Sequence, residues 1–277
     1  MKSIKEVIEL SSDYLAKAGV ESARVDAEWL IGHALKLNRM ELYLKFDKPL
    51  SEDELSQIRP LLSRRSKGEP VQYICGSTEF YGIELKVGPG VLVPRPETEL
   101  LVDAAKQKLK AGDSVLDLCT GSGAIAIALK SEMPELSLTA SDISPDTLKY
   151  AQENIELNNL DVELVEGDLL HPFSGRTFDA ITVNPPYVKP SEKPLMGKDV
   201  LVSEPDLALF SGEDGLDHLR VLAANAKAYL NPGGFFISEI GFQQGADCQS
   251  LFSSYGWKDI SILQDFTNRD RFVLCYT

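Results

Sequence analysis

One junction constrains this chain more than any other. Ser114-Val115-Leu116-Asp117-Leu118 is a short apolar run, and Cys119-Thr120-Gly121-Ser122-Gly123 carries it straight into a helix-forming stretch over 124–130. A buried strand that turns through glycines into a helix opens a βαβ unit. Such units close as a parallel sheet with helices packed on its faces. The alternation continues downstream. Residues 136–140 read as a second strand ending in Ser141-Asp142, 145–158 as a helix, 162–165 as a third strand and 178–183 as a fourth. A helix over 216–230, a strand over 235–239 after Asn231-Pro232-Gly233-Gly234, and two closing strands over 259–263 and 271–276 follow. This pattern predicts an α/β domain with a mostly parallel sheet.

Residues 1–70 have a different period. Ile4, Val7, Ile8, Ser11, Leu15 and Ala18 recur at three-and-four spacing, and Gly19 ends that helix. Ala27, Leu30, Ile31, Ala34 and Leu35 form a second stripe. Ser51-Glu52-Asp53-Glu54 is a capping-box start followed by Leu55, Ile58, Leu61 and Leu62, with Pro60 expected to kink or delay the helix. A small helical bundle is expected here. Its stripes show packing, and a partner-docking module and a structural cap read alike. Residues 71–92 read as a β-hairpin linker, with weak alternation and glycines at 76, 82 and 88. The remainder, 93–277, is the α/β domain, and a long loop is expected over 187–212.

The glycine turn is suited to a ligand. Glycines let a ligand approach the backbone, and the helix N-terminus favours an anionic group. Asp142, ending the second strand, can accept hydrogen bonds from ribose hydroxyls. Gly121-Ser122-Gly123-Ala124-Ile125-Ala126 also satisfies the dinucleotide pattern G-x-G-x-x-A, so a nicotinamide dehydrogenase fits the spacing. Asp117 argues against it, because a carboxylate reaching the mouth of the turn suits an ammonium better than a pyrophosphate.

The fourth strand supplies the second argument. It runs into Asn184-Pro185-Pro186-Tyr187, where each proline lacks an N–H and the chain must leave the sheet. Ligands bind at that carboxyl end in open α/β folds. Asn184 offers a carbonyl acceptor, the prolines offer carbonyls, and Tyr187 offers a flat ring. Together they can take both hydrogens of a planar NH₂ group and cover its face. This motif carries no hydride-shuttling His or Lys, so methyl transfer from S-adenosylmethionine is the expected chemistry.

Composition narrows the field. A net charge of −14 argues against a broad phosphate-binding face. The 4 cysteines form no CxxC pair and the 3 histidines are scattered, so neither a metal site nor a disulfide framework is expected. Reduced thiols, a start without an apolar core and the lack of a spanning apolar run point to a cytoplasmic protein without membrane contact.

The two motifs together resemble class I S-adenosylmethionine-dependent methyltransferases acting on an NH₂ nitrogen. More of the chain is similar to one branch, the bacterial peptide chain release factor glutamine methyltransferases (the PrmC/HemK family). The resemblance rests on Arg65-Ser66-Lys67-Gly68-Glu69-Pro70, Tyr73-Ile74-Cys75-Gly76, Glu79-Phe80-Tyr81-Gly82, Val93-Pro94-Arg95-Pro96-Glu97-Thr98-Glu99 and Glu204-Pro205. It implies a Rossmann-like catalytic domain with a seven-stranded sheet, a helical N-terminal domain and a hairpin linker. It also implies methylation of the glutamine in the Gly-Gly-Gln loop of class 1 peptide chain release factors. Asn184, Pro185 and Tyr187 are then catalytic, and Pro186 joins them in binding substrate. Asp117, Cys119, Thr120, Gly121, Ser122, Gly123, Asp142, Asp168, Leu169 and Asn184 would hold the cofactor.

The chain departs from the family pattern at Cys119, where many members have Gly, and at Leu169, where some have an aromatic residue. Asp168 also reads as a turn cap. Arg95 and Glu97 read as a cofactor lid or a salt-bridged helix start, and Glu204 as a loop-ordering residue or a solvated acid. An adenine N6-methyltransferase acting on a flipped base is an alternative, but it calls for a basic, aromatic groove that this acidic chain lacks. A noncatalytic binding module is a further rival.

Overall fold

A computed structural model describes residues 1–277, the side chain of Lys198 excepted. The chain forms two compact units, one of Met1–Ser77 with Met196–Ser203 and one of Thr78–Leu195 with Glu204–Thr277.

The first unit is helical. Its helices are α1 (Ile4–Lys17), α2 (Ala23–Leu35), α3 (Arg39–Leu44), α4 (Glu52–Ser66) and α5 (Val71–Cys75). Ser3, Asn38 and Ser51 each close a capping box, with Glu6, Glu41 and Glu54 at the third helical position. Each box satisfies two backbone donors that the first helical turn leaves open. Ile4, Ile8, Leu15, Leu30, Ile31, Leu42 and Ile58 meet in one apolar core. Helix α4 starts at Glu52 and continues through Pro60 to Ser66, so the proline neither delays nor ends it. Residues 71–75 are helical, so the helical unit extends past 70 and the hairpin is shorter than expected.

That hairpin pairs β1 (Ser77–Phe80) with β2 (Ile83–Lys86), and α6 (Glu99–Lys106) follows. The α/β alternation comes next: β3 (Ser114–Leu118), α7 (Ala124–Glu132), β4 (Ser137–Asp142), α8 (Pro145–Leu157), β5 (Glu163–Glu166) and β6 (Phe178–Val183). The expected 187–212 loop is in fact punctuated by a 3-10 turn (Pro190–Leu195) and by the short helices α9 (Lys198–Ser203) and α10 (Asp206–Leu209). The chain ends with α11 (Asp217–Asn225), β7 (Leu230–Glu239), α12 (Gly245–Ser254), β8 (Lys258–Gln264) and β9 (Asp270–Tyr276).

Seven strands form one sheet in the order β5-β4-β3-β6-β7-β9-β8. All neighbours are parallel until β9, which runs antiparallel to both β7 and β8. The order reverses beside β3, and both β3 and β6 point their carboxyl ends to the same edge.

The alternation of side chains divides the core. Val115, Ala180, Phe235 and Ile237 face a layer that includes Leu101 and Val102 of α6 and Ile127 of α7. Leu116, Ile181, Phe236 and Val273 face Leu219 of α11 and Phe252 of α12. Burial on both faces accounts for strands that read as continuous apolar runs. Among the described residues no helix is long and apolar enough to cross a membrane.

Candidate active site

A cavity of about 170 Å³ opens where the carboxyl ends of β3, β4 and β6 meet. The glycine turn forms its floor. Cys119, Gly121 and Gly123 all have positive φ, at 53°, 59° and 84°. Glycine adopts that conformation freely, whereas Cys119 does so at a cost of about 1–2 kcal/mol. Leu169, which also lines the cavity, is left-handed too at φ 45°. Both departures from the family pattern thus sit in strained backbone at the cavity, where such strain concentrates.

Asp142 ends β4 on the cavity wall. Its Oδ2 accepts the Gly121 N–H and its Oδ1 the Ser144 N–H, each at 3.0 Å. The carboxylate keeps acceptor capacity for a further donor. Burial lifts the pKa of this carboxyl, and the amides of Ser144, Gly121 and Ile143 oppose the rise. Next to it, Ser141 is 1% exposed, and its Oγ is buried without a hydrogen-bond partner. A buried hydroxyl left unpaired costs about 1–3 kcal/mol unless a ligand meets it.

Asp117 lies elsewhere. It is 0% exposed and absent from the cavity wall. One oxygen accepts the Thr120 hydroxyl at 2.6 Å and the other the Thr182 hydroxyl at 2.8 Å. The Ala126 amide in the first turn of α7 also bonds it. Burial outweighs these bonds and pushes its pKa up to about 7. The carboxylate therefore does not reach the mouth of the turn. Its strand position directs it under α7, where it braces the turn from beneath.

Asn184 and Pro186 face the cavity, whereas Pro185 and Tyr187 do not line it. The Asn184 Nδ2 lies 3.4 Å from Thr98 Oγ1. Thr98 in turn donates to Glu239 Oε2 at 2.6 Å, and the Tyr187 hydroxyl donates to Glu239 Oε1 at 2.9 Å. Glu239 is 1% exposed at the end of β7, and burial raises its pKa. The Glu239 charge and burial together hold the Tyr187 phenol above its ordinary range.

The stretch after Tyr187 is anchored to this edge. Val188 donates to the Leu209 carbonyl at 2.8 Å, and Gln244 Nε2 donates to the Tyr187 carbonyl at 3.1 Å. Arg95 pairs with Glu204 at 2.5 Å. The Glu204 side chain is 1% exposed, so it is no solvated loop acid. Beyond it, Pro205, Leu207 and Ala208 complete the cavity wall.

Of the residues singled out from sequence, the cavity brings together Cys119, Thr120, Gly121, Ser122, Asp142, Asp168, Leu169, Asn184 and Pro186. Asp117, Gly123, Pro185 and Tyr187 stand behind or beside it. Sequence reasoning missed Ser141, Thr98, His218 and Glu239. Glu239 alone carried a signal, as an acid closing an apolar strand.

Two family profiles match the chain: the PrmC N-terminal domain over residues 6–76 and the methyltransferase small domain over residues 96–212. The release factor glutamine methyltransferase of Geobacter sulfurreducens is 41% identical, over 98% of this chain and 95% of its own. The enzyme of that name from Moorella thermoacetica is 40% identical, over 95% and 94%.

The chain belongs to the release factor glutamine methyltransferase family.

Solved structures agree on the fold. A methyltransferase from Pyrococcus furiosus superposes with TM-score 0.55 at 21% identity, covering 70% of this chain and 89% of that one. The T. thermophilus 16S rRNA N2 G1207 methyltransferase, solved with AdoMet and guanosine, gives TM-score 0.53 at 20% identity, covering 73% and 49%. The class I methyltransferase fold with its seven-stranded sheet is thereby established. S-adenosylmethionine is the cofactor of this methyltransferase family, and the cavity has the chemistry to receive it. Asp142 keeps acceptor capacity for a ribose hydroxyl, the orphaned Ser141 hydroxyl waits for a polar partner, and Leu118, Ile125, Ile143 and Leu169 offer apolar walls.

Proposed function

We infer that this methyltransferase acts on the side-chain amide nitrogen, N5, of the glutamine in the Gly-Gly-Gln motif of class 1 peptide chain release factors, with S-adenosylmethionine as methyl donor. One observation carries the reading: Asn184 leaves β6 on the wall of the same cavity that Asp142 and the glycine turn enclose. An NH₂-binding group and a nucleoside-binding group thus share one chamber.

Bound in that cavity, the cofactor supplies a methyl carbon carried on a positively charged sulfur. Cys119, Thr120, Gly121 and Ser122 would cradle it, Asp142 would accept its ribose hydroxyls, and Asp168 with Leu169 would bracket the base. The protein's further task is to make an amide nitrogen reactive. That nitrogen is a weak nucleophile because its lone pair is delocalised into the carbonyl. The Asn184 side-chain oxygen on the cavity wall and the Pro185 carbonyl beside the cavity would accept its two hydrogens, which favours positive charge developing on nitrogen. Tyr187 packs beside the amide plane. Holding the nitrogen in line supplies much of the rate. The nitrogen would gain a bond to the methyl carbon as that carbon's bond to sulfur breaks and leaves its electron pair on sulfur; the methylated nitrogen, cationic and acidic, then gives up one proton to solvent, so no strong base is needed.

The helical residues 1–70 serve in this reading as a docking module for the release factor, and the reaction belongs in the cytoplasm. The −14 net charge opposes the alternative of an adenine in nucleic acid. Transfer of labelled methyl to purified release factor tests the proposal. Label is expected in wild-type factor, and neither in a Gly-Gly-Gln variant lacking the glutamine nor in DNA. Label in DNA alone would sink it.

A further inference from the structure

We infer that Thr98 and Glu239 are positioning residues that decide which end of the Asn184 side-chain amide faces the cavity. The inference rests on the function proposed above and adds to it a polarity.

The two residues come from distant parts of the chain. Thr98 closes the 3-10 turn Pro96–Thr98 that leads into α6, and Glu239 closes β7. They are 3% and 1% exposed. A carboxylate only accepts hydrogen bonds. Glu239 takes the Thr98 hydroxyl on one oxygen at 2.6 Å and the Tyr187 hydroxyl on the other at 2.9 Å. Burial raises the Glu239 pKa, and the Thr98 and Tyr187 hydroxyls together with the Arg271 guanidinium on the neighbouring strand β9 oppose that rise and favour the charged form.

A threonine hydroxyl has a single hydrogen. Once that hydrogen points at Glu239, Thr98 offers Asn184 only lone pairs. The NH₂ end of Asn184 meets those lone pairs, with Nδ2 3.4 Å from Thr98 Oγ1. The Oδ1 end is then the one left for substrate. With the amide reversed, Oδ1 would face an oxygen that has no hydrogen to give. The NH₂ end would also meet the hydrogens of the incoming glutamine, donor against donor. Glu239 thus sets the direction of a chain of hydrogen bonds that ends in the group gripping the substrate. The same carboxylate fixes the Tyr187 hydroxyl, so one buried acid orders both neighbours of the reacting amide.

The test uses the full-length enzyme with Thr98→Val, Thr98→Ser and Glu239→Gln. Thr98→Val removes the hydroxyl while keeping the shape. Turnover on release factor is expected to fall about tenfold or more, with KM for the factor and the calorimetric Kd for S-adenosylmethionine within about twofold. Thr98→Ser restores the hydroxyl and is expected to recover turnover to within about threefold of wild type. Glu239→Gln places a donor beside Thr98, allows the chain to reverse, and is expected to resemble Thr98→Val.

A second readout needs no substrate. The Asn184 side-chain amide resonance, identified by its loss in Asn184→Ala, is expected to exchange its hydrogens slowly in wild type and Thr98→Ser, and fast in Thr98→Val. Wild-type turnover with unchanged amide exchange in Thr98→Val overturns the inference, as does a Thr98→Ser variant no better than Thr98→Val. Failure of the wild-type enzyme to methylate release factor would refute the function. Amide exchange would still decide the orientation.

Discussion

In the helical unit, Asp26 and Arg65 lie 4% and 7% exposed and meet at 2.6 Å. Glu28, 2% exposed, is held there by Arg24 at 3.1 Å, Arg39 at 2.9 Å and the Tyr43 hydroxyl at 3.0 Å. In the sheet unit, Asp117 and Glu239 are as deeply buried, and their direct side-chain partners are hydroxyls. Both arrangements fill the lone pairs of a buried acid. They differ in what the partner does next. A guanidinium supplies charge and cannot accept a hydrogen bond, so Arg65 gathers acceptors only: Asp26, the Glu69 carbonyl and Asp199. A hydroxyl supplies no net charge, so burial lifts the proton affinity of Asp117 and Glu239. It can, however, accept from a third group and pass a direction onward. The bundle neutralises its acids, while the sheet edge uses its acids to orient neighbours.

The largest effect expected on breaking this contrast is in the bundle. Arg65→Ala leaves Asp26 buried without its cation and should cost about 3–5 kcal/mol in urea unfolding of the full chain. Replacing both partners by apolar residues of similar volume should cost far less. A loss below about 1 kcal/mol for Arg65→Ala would show that hydroxyls or water suffice there too.

At Asp117 the effect depends on pH, and its sign is fixed. The folded carboxyl holds its proton up to about pH 7, whereas the unfolded one releases it near 3.8. The folded state therefore binds more protons across that window, and stability falls as pH rises through it, by up to about 4 kcal/mol. Asp117→Asn, which cannot ionise, should flatten this slope in unfolding curves taken at successive pH values. An unchanged slope would mean that the hydroxyls and the α7 amide suffice to keep Asp117 charged.

Asn184→Ala should lower turnover about 100-fold. Calorimetric binding of S-adenosylmethionine should be affected much less, and stability by under about 1 kcal/mol. Equal turnover would remove Asn184 from the chemistry and leave the hydroxyl chain with nothing to orient. The smallest effect belongs to a contact with no buried charge. Ser51→Ala opens the capping box of α4 and should cost about 1 kcal/mol, read as a shift of the urea midpoint at unchanged slope.

Much of this molecule is legible within short windows of sequence. Ser51 and Glu54 announce the start of α4 because a capping box is completed within one helical turn. The strand–glycine–helix junction at 114–130 points to a parallel sheet because a helix that crosses over the sheet returns the chain to the edge from which the strand set out. Asn184 announces itself because two prolines end the ladder beside it. Windows of this kind report what adjacent residues do to one another, and they fail where the partner is distant. Asp117 has the right spacing to reach a ligand, yet strand alternation turns it under α7, towards Thr182 on the neighbouring β6. Thr98 and Glu239 stand 141 positions apart. Only the order of strands in the sheet brings them together behind Asn184. Residue order alone thus determined the longer elements, their sequence and the chemistry available at one edge, while the short helices α5, α9 and α10 went unread. Tertiary structure decided which carboxylates face the cavity and which brace it, because a hydrogen bond between remote residues exists only after the sheet has closed.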